Sequence, residues 1–295
     1  MRPQALCCLL FLSFLPSFIL GQQSDIFLFD LLEVAGKYEL HHPRLLTDFN
    51  PNGYNNQPAF VDSYTLLVSV APADDLVNTD IFRMDLRTRD LTRITQTRDR
   101  EYSPTPSQDD RQAFNCVVVD LENDEKQILW QYPLDRSDGG KPLIRNLEGV
   151  GYFRELADDW VAIFEVGTPN KLWVVNKKSG DKKFIANDIG RCLQVMSNGQ
   201  LVYVHKFSED YWFLKKLVPE NFTSEIIKKT LPEAEDFVVL ANDAILMGQG
   251  SKIYVLDQGG DNQWALVEDL EKYKISHITR LAYNGINQLT VVNRK

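Results

Sequence analysis

The sequence is poor in the residues that build metal sites and nucleophilic active sites. Its 295 residues include only four histidines and four cysteines. It contains neither a His-Glu-x-x-His nor a Cys-x-x-Cys motif, which argues against a zinc site. It also lacks the Gly-x-Ser-x-Gly motif that presents a nucleophilic serine on a sharp turn. We therefore predict neither catalytic residues nor metal ligands from its motifs.

Basic residues are outnumbered by acidic ones. The chain has 32 Lys and Arg residues against 41 Asp and Glu residues, giving a net charge of −9 and a pI of about 5.0. Non-specific binding to nucleic acid depends on basic residues that neutralise phosphates. This charge balance argues against a nucleic-acid partner.

Long apolar runs are absent except at the N-terminus. Arg2 precedes an apolar segment over residues 5–20, which ends at the small residue Gly21. This order is typical of a signal peptide, so we predict a signal peptide over residues 1–21 and a mature start near Gln22. The short run contains Pro16 and no basic cluster follows it, which argues against a membrane anchor. We expect an exported protein, periplasmic or extracellular, with no membrane span after cleavage.

Only Cys116 and Cys192 remain after the predicted cleavage. Export permits disulfides. The repeats described next assign the two cysteines to non-adjacent units, however. We therefore predict that both are small buried hydrophobic residues and that they do not form a disulfide.

Short runs of β-branched and aromatic residues recur along the chain, which indicates β-strands. They occupy residues 24–31, 78–86, 127–130, 171–176, 211–214 and 252–257. Their period of roughly 40–50 residues is typical of a β-propeller or another repeat array. We expect their aromatic residues to pack between neighbouring units, namely Phe82, Trp130, Trp173, Phe213 and Tyr254.

A second series of turn-forming pairs lies between these runs, at spacings of 40 to 49 residues. Asn-Gly and Asp-rich pairs tolerate the positive φ of tight hairpin turns. We assign each pair to the turn between the first and second strands of a unit. The pairs are Asp62-Ser63, Asp109-Asp110, Asp158-Asp159, Asn198-Gly199, Asn242-Asp243 and Asn284-Gly285.

The two incomplete ends of the chain add up to one further unit. The C-terminus supplies a first and a second strand, and the mature N-terminus supplies a third and a fourth. We therefore predict an all-β fold, a six-bladed propeller of four-stranded antiparallel blades. Pairing of residues 25–31 with residues 288–293 would close the ring and remove its exposed edges. We expect residues 22–295 to form one propeller domain and the protein to be a monomer.

The segment over residues 91–111 resembles the repeat of TolB-type propellers. Ile94-Thr95 corresponds to the outer strand of that repeat and Ser103-Pro104 to the loop after it, while Gln108-Asp109-Asp110 replaces the usual Pro-Asp-Gly turn. Residues 56–60 resemble the same loop one blade earlier. The clear match covers about residues 54–135, and it most resembles exported TolB-like propellers of Bacteroidetes-type bacteria. The resemblance implies a protein that binds partners across one face of the ring.

Candidate binding residues cluster where each outer strand connects to the next inner strand. In a propeller these connections surround one mouth of the central channel, and their aromatic and charged residues suit a binding face. We predict that a protein, peptide or small-molecule ligand binds there, with Asn55 and Glu235 beside the contacting residues. Those residues are Tyr54, Asn56, Glu101, Tyr102, Tyr152, Arg191, Asp236 and His277.

We expect a non-enzymatic binding or scaffold propeller without a cofactor. The alternative is a calcium-dependent hydrolase of the lactonase type, which requires Asp, Asn and Glu side chains that converge on the channel axis. Asn56, Glu101, Glu235 and Asp236 are the candidates for that arrangement. Calcium binding separates the two hypotheses.

Overall fold

The computed structural model describes residues 22–256 and 261–295, so the predicted signal peptide lies outside the described residues. Within them, 24 strands form six four-stranded antiparallel sheets, and one short 3-10 helix spans Leu270–Tyr273. Adjacent sheets contact one another through their inner strands, and the sheets form a closed ring. The predicted six-bladed β-propeller is confirmed. No helix of the described residues is long and apolar enough to cross a membrane.

The strands follow the chain order blade by blade. Half of a split blade is formed by β1 (Ser24–Val34) and β2 (Lys37–Leu45). Blade one consists of β3 (Tyr54–Phe60), β4 (Thr65–Ala71), β5 (Asp80–Asp85) and β6 (Leu91–Arg93). Blade two consists of β7 (Arg100–Pro106), β8 (Ala113–Asp120), β9 (Lys126–Pro133) and β10 (Lys141–Pro142). Blade three consists of β11 (Val150–Glu155), β12 (Trp160–Glu165), β13 (Lys171–Asn176) and β14 (Lys182–Asn187).

The remaining strands complete the ring. Blade four consists of β15 (Ile189–Val195), β16 (Leu201–Ser208), β17 (Tyr211–Val218) and β18 (Thr223–Lys229). Blade five consists of β19 (Phe237–Val239), β20 (Ile245–Gln249), β21 (Lys252–Leu256) and β22 (Trp264–Asp269). Blade six, the split blade, gains β23 (Ile278–Tyr283) and β24 (Gln288–Arg294).

The ends of the chain close the ring as the repeat pattern predicts. In the split blade, β1 pairs with β24 without a register shift, from Asp25 opposite Asn293 to Asp30 opposite Gln288. Lys295 adds a backbone hydrogen bond of 2.9 Å to Gln23. Because the two termini share one sheet, the edges that an open array would expose are paired.

The core lies between the blades. Second strands are buried almost throughout, as in β12, where Val161, Ala162 and Ile163 are at most 1% exposed. Such continuous apolar runs are expected for strands that are covered on both faces. Both described cysteines follow the prediction, since Cys116 and Cys192 are buried, unbridged and in blades two and four.

The aromatic residues of the third strands are half-buried, and Phe82, Trp130 and Trp173 pack against core clusters between neighbouring blades, as predicted. Trp130 and Trp173 are half-buried, whereas Leu129 and Leu172 beside them are fully buried. The indole N–H of Trp130 donates to the Gly139 carbonyl oxygen at 3.0 Å. Such polar groups favour the periphery of a core, where they find partners. The same half-buried state holds for the other three aromatic residues, Phe82, Phe213 and Tyr254.

All six turn pairs lie between first and second strands, as predicted. Asp62 illustrates how they work, because its Oδ1 accepts a hydrogen bond of 2.7 Å from the Tyr64 amide. Gly199 and Gly285 adopt φ values of 83° and 81°, which side chains with a Cβ disfavour. We refer to the side of the ring that bears these turns as the hairpin mouth. The opposite side, where outer strands connect to inner strands, is the connection mouth.

Candidate functional site

The six inner strands enclose a central channel that contains a cavity of about 240 Å³. Residues from β3, β7, β11, β15 and β23 line this cavity, together with Asp236 immediately before β19. A second cavity lies toward the hairpin mouth, next to Ser197 and Gly285. Arg154, Gln194 and Tyr283 line both cavities, so they lie where the two cavities adjoin.

Inner strands are irregular where they face the channel. Register shifts interrupt the pairing of the first and second strands in blades one, two, three, four and six. In β3 and β7 the shifts coincide with Gln57-Pro58 and Ser103-Pro104, where Gln57 and Ser103 have φ values of 52° and 55°. Bulges of this kind redirect side chains.

The predicted Ser-Pro loops are therefore part of strands. Ser103-Pro104 lies within β7 and Gln57-Pro58 lies within β3, so the sequence-based placement of both as connecting loops was wrong. Proline has no backbone N–H to donate. It is tolerated at a bulge because the pairing of the two strands is interrupted there and does not require that hydrogen bond. The Ser103 amide donates instead to Gln57 Oε1 at 2.9 Å, which joins the inner strands of blades one and two.

Tyrosines from three consecutive blades meet next to the cavity, which Tyr152 lines. The rings of Tyr54 and Tyr102 pack edge to face, with centroids 6.3 Å apart. Burial raises the pKa of Tyr54, and the neighbouring hydroxyl of Tyr152 raises it further. The guanidinium of Arg280 lies 4.8 Å from the centroid of the Tyr152 ring, a cation–π arrangement. Aromatic rings and charge thus share one wall.

Asp236 and Arg280 form a buried ion pair on that wall. Their side chains are only 6% and 12% exposed, and Arg280 Nη1 contacts Asp236 Oδ2. The second carboxylate oxygen of Asp236 accepts a hydrogen bond of 3.0 Å from the Leu281 amide. Burial alone would lower the pKa of Arg280, but Asp236 and Tyr152 outweigh burial and raise it. The pair joins blades five and six.

Glu235 holds two further cations. Its carboxylate lies 2.7 Å from Arg191 Nε and 2.6 Å from Lys206 Nζ. Burial opposes the ionisation of Glu235, yet Arg191 and Lys206 outweigh it and lower the pKa of the carboxyl. Both carboxylates of this wall are thus engaged by cations of the chain itself.

Cys192 also lines the channel, beside Asp236. Its Sγ donates to the Phe237 carbonyl oxygen at 3.1 Å. Burial and the nearby Asp236 carboxylate raise its pKa to about 12. The thiol stays protonated at neutral pH, and a thiol is a weak nucleophile compared with a thiolate.

Glu101 points away from the channel, into the junction of blades one and two. It is fully buried, and its carboxyl oxygens contact the hydroxyls of Thr97 and Thr95, the latter at 3.3 Å. Burial raises its pKa to about 8, and the nearby Asp80 carboxylate adds to the shift. The side chain is therefore protonated at neutral pH.

The structure brings together five of the eight sequence-predicted residues. Tyr54, Tyr102, Tyr152, Arg191 and Asp236 interact with one another directly or through Arg280. All of them except Asp236 lie on inner strands, so placing them in connections before the strands was wrong.

The other three residues do not join this group. Glu101 faces the blade junction, and Asn56 Oδ1 accepts a hydrogen bond of 2.8 Å from the adjacent Gln57 amide. His277 is exposed, with its Nδ1 3.0 Å from Ser276 Oγ. Within residues 22–256 and 261–295, no three His, Cys, Asp or Glu side chains are arranged to hold a metal ion.

Sequence reasoning missed the residues deeper in the channel. Arg154 follows Tyr152 by two positions, so strand alternation alone could have identified it. Strand alternation could not assign the Arg280 side chain to the channel, because the bulge between Ile278 and Arg280 interrupts that alternation. Gln194 carried no signal in the sequence.

No family model matches the sequence, and no curated protein matches it. Solved structures share its fold. A putative TolB from Agrobacterium tumefaciens is 10% identical with a TM-score of 0.66, covering 93% of this chain and 99% of the other. A gluconolactonase from Xanthomonas campestris, XC5397, is 11% identical with a TM-score of 0.62, covering 93% and 97%.

TolB from Acinetobacter baumannii is 12% identical with a TM-score of 0.57, and the match covers 92% of this chain but 64% of that protein. At these identities the similarity concerns the fold. The chain has the six-bladed architecture of TolB-type propellers, as its repeat resemblance implied, and a lactonase shares that architecture.

Proposed function

We propose that this protein is an exported, monomeric, non-enzymatic binding propeller that holds a small molecule or a peptide segment in its central channel. The observation that carries the proposal is the convergence of Tyr54, Tyr102, Tyr152, Arg191 and Arg280 beside an open cavity. Concave sites with aromatic walls and a few directed polar groups are typical of ligand sites.

The state of the acidic groups supports binding over hydrolysis. Glu235 and Asp236 are each held by cations of the chain, and Glu101 is buried between blades. A lactonase-type calcium site would need such carboxylates to be free and directed at a common point. The shared fold with a gluconolactonase keeps the calcium-dependent hydrolase as the alternative to test.

Ligand capture tests the proposal. Tagged protein is incubated with the extracellular or periplasmic fraction of its host, and native mass spectrometry compares wild type with Tyr152→Ala and Arg191→Ala. We expect a bound species on wild type, reduced in both variants and retained in the surface control Arg98→Ala, whose side chain is 91% exposed. Equal retention by all four proteins would contradict a channel site.

Calcium calorimetry addresses the alternative. The chelator-treated protein and its Asp236→Asn variant are titrated with calcium. Tight binding that the substitution abolishes, in a variant that circular dichroism shows to be folded, would favour the hydrolase. Export is tested separately. Mass spectrometry of the protein purified from its host should give a mature N-terminus near Gln22. An intact Met1 would contradict export.

A further inference from the structure

The channel has a charge opposite to that of the whole protein. The chain carries a net charge of −9, yet the described residues lining the main cavity include Arg154, Arg191 and Arg280 against one carboxylate, Asp236. Counting the neighbours Glu235 and Lys206 gives four cations and two anions. A concave wall with a net positive charge concentrates counter-ions, so the channel attracts anions that the outer surface repels.

Arg154 differs from the other two arginines because it has no partner. Arg280 contacts Asp236 and Arg191 contacts Glu235, whereas Arg154 forms no ion pair within the part of the chain that the structure describes. Its Nε is buried without a hydrogen-bond acceptor, and Arg191 Nε shares that state but lies 2.7 Å from the Glu235 carboxylate.

The acidic residue nearest to Arg154 in the sequence is Glu155, but its carboxylate oxygens already have other partners. Its Oε1 lies 2.8 Å from Lys177 Nζ, and its Oε2 accepts hydrogen bonds from Asn115 Nδ2 at 2.8 Å and the Gln108 amide at 3.0 Å. These partners lie in blade two and on the third-strand side of blade three, away from the channel. Glu155 therefore leaves the guanidinium of Arg154 without a direct counter-ion.

A buried guanidinium without a counter-ion destabilises the folded protein. Burial lowers the pKa of Arg154, which means that its surroundings disfavour the charge. An unpaired buried donor costs about 1–3 kcal/mol, and more when it is charged. Ser103 Oγ, on the same cavity wall, is also buried without a partner. Both groups would be satisfied by a ligand that accepts hydrogen bonds.

We propose that the ligand of this channel carries a carboxylate and that Arg154 receives it. This inference rests on the proposed binding function. A planar guanidinium matches a carboxylate through two parallel N–H···O bonds. The tyrosine and proline side chains of the wall, including Tyr152 and Pro104, provide surface for the uncharged part of the ligand. A small molecule with a ring and a carboxylate fits this combination.

Benzoate and benzamide test the charge requirement because they have nearly the same shape. Saturation-transfer NMR and calorimetry compare their binding to wild type. We expect benzoate to bind about tenfold more tightly or better, the range of a charge-assisted contact. Arg154→Met should remove that preference, while Arg98→Met, on the exposed surface, should keep it. Absence of a preference in wild type, or its persistence in Arg154→Met, would overturn the proposal.

A second measurement separates a binding role from a structural one. Without ligand, Arg154→Met should melt at the same temperature as wild type or higher, because the substitution removes an unpaired buried charge. A clear loss of stability would assign Arg154 to the fold and overturn the proposal. Tighter binding of phenyl phosphate than of benzoate would overturn the choice of carboxylate.

The two proposals can fail separately. If host fractions yield a captured species that Arg154→Met retains, the binding function stands and the carboxylate assignment fails. If benzoate binds through Arg154 but nothing is captured from the host, the site chemistry stands and the proposed function fails.

Discussion

The first and second strands of a blade lie side by side but differ in almost every property. In blade three, β11 is interrupted by a bulge and directs Tyr152 and Arg154 into the channel. The adjacent β12 pairs regularly with β13 and buries Val161, Ala162 and Ile163 between blades. The first strand of a blade thus supplies side chains to the channel, and the second strand supplies the buried core.

Deletion of residues 286–295 should have the largest effect. It removes β24, the central partner of both β1 and β23 in the split blade. The ring would open and expose apolar surface at two blades, so we expect loss of the cooperative thermal transition. Differential scanning calorimetry against the chain over residues 22–295 checks this. An unchanged melting temperature would show that closure contributes little.

Asp236→Asn should destabilise the fold nearly as much, although Asp236 lines the channel. The substitution leaves Arg280 buried without its carboxylate, and breaking a buried pair in this way costs about 3–5 kcal/mol. Urea denaturation measures the free energy of unfolding. As a control, Asp85→Asn affects an exposed pair with Arg87 and should change stability by less than about 1 kcal/mol. Equal effects would mean that burial does not matter for the Asp236 pair.

Leu246→Ala tests the contribution of a buried second strand to the stability of the fold. Leu246 on β20 is fully buried between blades, so its truncation should cost about 2–5 kcal/mol of unfolding free energy. Leu266→Ala in the same blade is the matched control, because Leu266 is 55% exposed. Benzoate binding should be unaffected in folded Leu246→Ala. A weakened benzoate affinity would show that the two regions are not separate.

Glu101→Gln should have the smallest effect near pH 5, and its effect should grow as the pH increases toward 8. The pKa of Glu101 rises from 4.5 to about 8 on folding, so between those values the folded state keeps a proton that the unfolded chain releases. Stability contributed by this proton is full below pH 4.5 and falls as pH increases toward 8. The decline is at most about 1.4 kcal/mol per pH unit.

Denaturation across pH 5 to 8 measures that slope. The Glu101→Gln variant should lose this part of the decline and be the more stable protein at pH 8. Glu122→Gln, at an exposed turn, should follow the wild-type curve. Identical curves for wild type and Glu101→Gln would mean that Glu101 is ionised in the folded protein.

Much of the architecture could be predicted because its signals are local. Asn198-Gly199 and Asn284-Gly285 identify hairpins through the φ values they tolerate, and the spacing of such pairs counts the blades. The apolar runs around them identify strands. Even the split blade follows, since two incomplete ends complete one sheet.

The candidate site could be predicted only in part. Tyr54, Tyr102 and Tyr152 were identified because each lies near the point where one blade connects to the next, at one channel mouth. Glu101 was misplaced by one position of strand alternation, which turned it from the channel to the blade junction.

The sequence by itself determined the repeat, the number of blades and the closure of the ring, because strand propensity and turn geometry act over a few residues. Only the tertiary structure decided which charges meet. Arg280 finds Asp236 across 44 positions of the chain, while Arg154 is left facing the cavity without a counter-ion. Bulges in five of the six inner strands set the direction of the side chains there, and ring closure brings six distant segments to one axis. Neither effect is encoded in a local pattern, and both fix the chemistry of the channel.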